Sequence, residues 1–220
     1  MIRENGLTAY VFVTLAYWGF MLSDGALRML VLLHFNSLGY SPIQLAYMFV
    51  LYEVAGIFTN LAAGWIAARF GLTSTLYVGL SLQIISLFAL AQLDTTWTIG
   101  LSVLYVMLVQ GLSGIAKDLS KMSSKSAVKI LAPKAQGSLF RWVALLTGSK
   151  NAIKGFGFLL GAVLLGQFGF VAVLYAMASI LCAVLFVLCV AMPHGLPQGR
   201  KNAQFSDVWS DNSNINWLAL

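Results

Sequence analysis

Six long apolar runs separated by short polar breaks set the pattern of this 220-residue chain. The first extends from about Thr8 to His34. The turn-forming stretch Asn36-Ser37-Leu38-Gly39-Tyr40-Ser41-Pro42 follows, and Pro42 is placed to open the next helix, where its missing N–H is no loss. The second run covers about Ile43 to Ala67 and breaks at Arg69-Phe70-Gly71. The third covers about Thr73 to Gln92 and gives way to a polar turn at Asp94-Thr95-Thr96. The fourth starts near Thr98 and stays apolar to Ala116. Helical spacing then persists through a lysine-rich stretch as far as Leu131, and Pro133 ends it.

The last boundary needs a length argument. Gly155 to Met192 is an uncharged apolar run of 38 residues, too long for one span. Gly166-Gln167-Phe168-Gly169 is its best internal turn, which sets the sixth helix at about Phe170 to Met192. The piece before the turn is about 18 Å long at 1.5 Å per residue, short of the roughly 30 Å hydrocarbon core. The fifth helix must therefore reach back at least to Thr147, which draws Lys150 and Lys154 into the membrane. The first run far exceeds the roughly 7–15 apolar residues of a signal peptide and lacks a small-residue cleavage site, so it is expected to be a retained helix.

Composition agrees with this pattern. The chain is 60% hydrophobic and 9% charged, against about 25% charged in soluble domains, so the solvent is a lipid bilayer. The expected fold class is all-α transmembrane. Residues 1–192 form a six-helix bundle and residues 193–220 a cytoplasmic loop. Trp217-Leu218-Ala219-Leu220 resembles the first turn of a seventh helix in a missing C-terminal half. With the N-terminus inside, Arg3, Arg69, Lys117, Lys121, Lys125, Lys129, Lys134, Arg141, Arg200 and Lys201 are all internal, and the outer turns carry no Lys or Arg. That asymmetry places both termini in the cytoplasm of a multi-pass inner-membrane protein. The net charge of +6 reflects this topology and not nucleic-acid binding, because no basic patch is interleaved with aromatics outside the apolar runs. Cys182 and Cys189, seven residues apart on one helix, are too far apart for a disulfide and read as packing residues.

Charges at membrane depth are costly, so they mark candidate chemistry. Asp24 and Arg28 share a face of the first helix at i, i+4. They form either a self-neutralising pair or a cavity-facing pair in which Arg28 holds an anion. Glu53, Asn60 and Gly64 follow one stripe of the second helix. Glu53 can pair with a lysine or carry a coupling proton, and Asn60 can bond across helices. Gln110, Gly114, Lys117 and Lys121 share a narrow sector of the fourth helix. Lys117 is a site candidate there, and Lys121, Lys125 and Lys129 read as snorkelling interfacial lysines. Lys150, Lys154, Gly157 and Gly161 lie on a stripe only about 60° wide. Its glycines suit close helix packing, and its lysines suit a cavity. The deep charges Arg28, Lys150 and Lys154 outnumber Asp24 and Glu53 by one, which favours an anionic cargo.

No enzyme, cofactor or metal signature is present. Thr147-Gly148-Ser149-Lys150 lacks the earlier glycine of a phosphate loop, and His34 and His194 are isolated at span ends. The segment Gly64-Trp65-Ile66-Ala67-Ala68-Arg69-Phe70-Gly71 resembles the major-facilitator loop motif at Gly64, Arg69 and Gly71, with Ala68 where the motif has aspartate and no basic pair after Gly71. The segments Asp24–Phe35, Leu38–Pro42, Leu112–Lys129 and Thr147–Gly155 together resemble the organoarsenical efflux permeases of that superfamily, the ArsJ type. The resemblance spans nearly the whole chain. It implies the N-terminal half of a twelve-helix carrier that exports 1-arseno-3-phosphoglycerate and so confers arsenate resistance. It also implies a functional link to glyceraldehyde-3-phosphate dehydrogenase, which makes that ester. A carrier for a drug or a sugar phosphate is the alternative, as is a six-helix scaffold that associates through the glycines of the fifth helix.

Overall fold

In the computed structural model, which describes residues 2–94, 96–131 and 138–191, six α-helices follow the six apolar runs. They are α1 (Ile2–Ser37), α2 (Pro42–Phe70), α3 (Leu72–Ala91), α4 (Ile99–Leu131), α5 (Ser138–Phe168) and α6 (Phe170–Ala191). All six are long and apolar enough to cross a membrane.

Local chemistry explains the boundaries. Ser41 caps α2: its Oγ accepts from Gln44 N at 3.4 Å, and its own N–H donates to Gln44 Oε1 at 2.8 Å. This reciprocal box satisfies backbone donors that the first turn leaves open, with Pro42 just inside. Thr98 Oγ1 accepts from Leu101 N at the start of α4. Gly71 and Gly169 stand between consecutive helices at φ 78°, a left-handed conformation that a side chain would strain. In the α3–α4 turn, Asp94 Oδ1 accepts from Thr96 N and Thr96 Oγ1, both at 2.8 Å. These two bonds hold the Asp94 carboxyl below the usual carboxylate range.

The expected start of α5 holds as a minimum, and the turn after it moves. α5 begins at Ser138, nine residues before Thr147. Membrane thickness sets only a minimum length, and no breaker lies between Gly137 and Thr147. Gly166 stays helical, and the chain turns at Gly169 alone. α4 continues to Leu131 as the spacing predicts. Thr95, Pro133, Lys134, Met192 and the whole 193–220 segment, including His194, Arg200 and Lys201, lie outside the described residues.

Inside the bundle, α2 packs along α4 and α1 along α5. α3 packs between α4 and α6, and α1 also meets α4 and α6. The core holds fully buried Phe20, Leu30 and Phe35 of α1, Leu76 and Leu87 of α3, and Leu174 of α6. Large apolar side chains point outward, including Ile57, Phe58, Leu159 and Phe186. Lipid is the natural solvent for such a surface, and helices suit it because they satisfy their own backbone groups.

Candidate functional site

The site is built where helices approach closely enough for backbones to touch. A Cβ on Gly157 would lie 2.5 Å from the Leu22 carbonyl oxygen, and one on Gly161 equally close to that of Ala26. From the other side, a Cβ on Gly25 would strike the Lys154 carbonyl. Only glycine permits this α1–α5 contact. On α4, a Cβ on Gly114 would run into the Tyr52 backbone, and Gly111 faces Leu51 of α2. On α2, Gly56 leaves room for the Asp118 carboxylate. These approaches bring charged side chains of α1, α2, α4 and α5 together.

Asp24, fully buried, is the anchor. Its Oδ2 takes Lys154 Nζ at 2.5 Å, and its Oδ1 accepts the Tyr52 hydroxyl at 2.5 Å. The buried Tyr52 ring carries two cations, with Arg28 Cζ 4.0 Å and Lys117 Nζ 4.2 Å from its centroid. Both distances fall within cation–π range. Glu53, the next residue, bridges the same cations. Its Oε1 lies 2.7 Å from Arg28 Nη2 and its Oε2 4.0 Å from Lys117 Nζ. Asp118, also fully buried, takes Lys121 at 3.4 Å, and Lys121 donates to Asn60 Oδ1 at 3.1 Å. Arg28 also lines a cavity of about 220 Å³ with Met29, Leu32, Phe49 and Phe158.

The structure re-sorts the candidate residues. Asp24 and Arg28 do not neutralise each other along α1, because each turns to a different helix, Asp24 to Lys154 and Arg28 to Glu53. Lys154 is therefore committed to a carboxylate rather than open to a ligand. Lys150 is half-buried and forms no ion pair among the described residues, and it lies in the positive field of the lysines 121, 154, 125 and 117. Lys117 joins the site. Lys121 is not a free snorkelling lysine, since it ties α4 to α2. Lys125 is exposed. Gly157 and Gly161 face α1 within the chain, so they are not an open stripe for self-association. At the α2–α3 break, Gly64 and Arg69 lie on α2, Gly71 follows, and Arg69 sits 5.6 Å from the Trp65 ring.

Two site residues escaped the sequence pattern. Tyr52 was legible in principle, since a tyrosine in mid-span lacks the interfacial site it usually prefers. Asp118 stands alone among lysines in sequence, but its burial depends on Gly56 of another helix. With Asp118, Lys117 and Lys121 included, and the exposed Lys125 at the end of its span set aside, five cations (Arg28, Lys117, Lys121, Lys150, Lys154) face three carboxylates (Asp24, Glu53, Asp118), a surplus of two.

Comparison with solved structures places the fold. The chain is similar to a peptide transporter (POT) in complex with sulfate, with TM-score 0.67 and 15% identity over 93% of this chain and 43% of that one. It is also similar to a POT family transporter in complex with 5-aminolevulinic acid, with TM-score 0.68 and 16% identity over 96% of this chain and 45% of that one. The chain thus spans less than half the length of either. Its fold is that of a six-helix half of a major-facilitator-type transporter, and it is a multi-pass membrane protein. No protein-family model and no curated protein matches the chain.

Proposed function

We propose that the chain is the N-terminal half of a major-facilitator-type exporter for a small organic anion, set in the inner membrane with both termini cytoplasmic. The observation that carries this reading is the intramembrane cation surplus, in which Arg28 and Lys117 share the single carboxylate of Glu53 and Lys150 pairs with none among the described residues. Unpaired fixed cations in a low-dielectric site attract anions and repel cations. In carriers of this architecture the cargo binds near the midplane between two halves, so a second six-helix half supplies the other wall. Orientation follows the basic asymmetry: the Gly71 break and the Leu131 end of α4 lie inside. An external reporter signal from a fusion at Lys129 contradicts that orientation.

The cargo is 1-arseno-3-phosphoglycerate in the reading that follows the resemblance to organoarsenical permeases, which rests on the sequence segments alone. A sugar phosphate satisfies the same cations and is the second reading. Arsenate resistance separates them. A sensitive host that makes the ester through glyceraldehyde-3-phosphate dehydrogenase is complemented with the carrier or its Arg28→Lys variant. Arginine's planar fork pairs with two oxygens of a phosphate or arsenate, and lysine is a point charge. Resistance is expected from the parent and a loss of tenfold or more, roughly the value of one such interaction, from Arg28→Lys at equal membrane expression. No resistance from the parent excludes the ester as cargo, and equal resistance from both removes Arg28 from the site.

A further inference from the structure

Glu53 is unusual among the three carboxylates of the site. Asp24 and Asp118 are fully buried, whereas the Glu53 side chain is 61% exposed. It nevertheless lies between two cations that are themselves largely covered, Arg28 at 26% and Lys117 at 18% exposure. Its grip on Arg28 is partial. Nε and Nη2 form one edge of the guanidinium, able to take two oxygens of one ligand. Glu53 meets Nη2 at 2.7 Å, while Nε is buried with no hydrogen-bond partner among the described residues. The cavity beside Arg28 is otherwise lined by apolar side chains, Met29, Leu32, Phe49 and Phe158. Two cations, an unfilled donor edge, an adjoining cavity and an exposed carboxylate in the gap are what an anion site with a weak internal ligand looks like.

We infer that Glu53 is the resident occupant of the anion site: its carboxylate holds the place an oxyanion takes between Arg28 and Lys117, and the incoming anion binds by displacing it. The inference rests on the anion-carrier reading above and adds how the site selects. Glu53 competes as a tethered ligand, so its effective concentration is high. A free monocarboxylate brings no more charge than Glu53 and does not displace it. A phosphate or arsenate group brings a second charge and two oxygens for the Nε–Nη2 edge, and does. Selection for doubly charged tetrahedral oxyanions then comes from competition with the chain's own carboxylate as much as from attraction. Glu53 is itself exposed and the incoming anion takes its place on the two cations, so displacement leaves no covered charge without a partner.

The test titrates the 220-residue chain in lipid nanodiscs with inorganic phosphate and, separately, with acetate, by calorimetry. The unsubstituted chain is expected to bind phosphate and not acetate. Removing a competitor that occupies the site about nine-tenths of the time raises apparent affinity about tenfold, so Glu53→Gln is expected to bind phosphate about tenfold tighter and to gain acetate binding. A residue that merely positioned Arg28 would have the opposite effect. Glu53→Asp keeps the charge on a shorter arm, is expected to shift phosphate affinity in the same direction by less, and decides the matter if the glutamine variant loses its helicity. Equal or weaker phosphate binding in the folded variant, with binding intact in the unsubstituted chain, overturns the inference alone. No phosphate binding in either overturns, together with it, the reading that the cations of this half form the anion site.

Discussion

At the scale of single residues, the two lysines of α5 look equivalent in sequence and are not. Lys154 neutralises Asp24, which is fully buried and also bound by Tyr52. Removing one member of a buried pair leaves an uncompensated charge. Lys154→Gln is therefore expected to destabilise the chain by about 3 kcal/mol, read as a lowered unfolding midpoint in detergent. Lys150 forms no ion pair among the described residues, so Lys150→Gln is expected to leave that midpoint nearly unchanged while weakening anion binding. Equal midpoints for the two variants contradict the assignment. Span length placed both lysines at membrane depth and helical spacing put them on one stripe, but spacing along one helix cannot say which of two neighbouring positions meets a carboxylate on another. The same limit applies to Asp24 and Arg28, whose i, i+4 spacing invites a pairing that interhelical partners replace. Tyr52 combines a hydroxyl for Asp24 with a ring for two cations, a role set by three helices at once.

At the scale of elements, glycines decide which helices can touch, and through them which charges meet. Gly161 lies against the Ala26 backbone, whereas a Cβ on Gly155 would find open space. Gly161→Ala is expected to cost about 1–3 kcal/mol by forcing α1 and α5 apart, and Gly155→Ala to be neutral or slightly stabilising through helix propensity. Thermal unfolding of the two variants checks the contrast, and equal midpoints contradict the α1–α5 contact. The helices themselves were largely legible in the sequence. The serine-proline start of α2, the break at Gly71 and the long α4 all follow from caps, breakers and period. The start of α5 was legible only as a minimum, because hydrocarbon thickness says how short a span can be and not how far its polar first turns continue. Gly166 has turn composition yet remains helical, since a glycine ends a helix only where the chain must reverse, and it reverses at Gly169.

At the scale of the whole molecule, charge and hydropathy revealed the bilayer and the six spans, and the arrangement of helices agrees with a major-facilitator-type half. The cargo is less legible, because a cation surplus names a charge class and not a compound. That surplus grew from one to two once Asp118, Lys117 and Lys121 were seen to share the interior with Arg28, Lys150 and Lys154. The central claim is that this interior binds an oxyanion through Arg28. Phosphate binding to the chain in nanodiscs, with and without Arg28→Lys and across a salt series, tests it most directly. The account predicts saturable phosphate binding that falls at least about tenfold in Arg28→Lys, where one bidentate contact is lost. It also predicts binding that depends only weakly on salt, because partly buried charges are screened less than exposed ones. Phosphate affinity that is the same in both chains, or that vanishes with modest salt as loose surface attraction does, contradicts it.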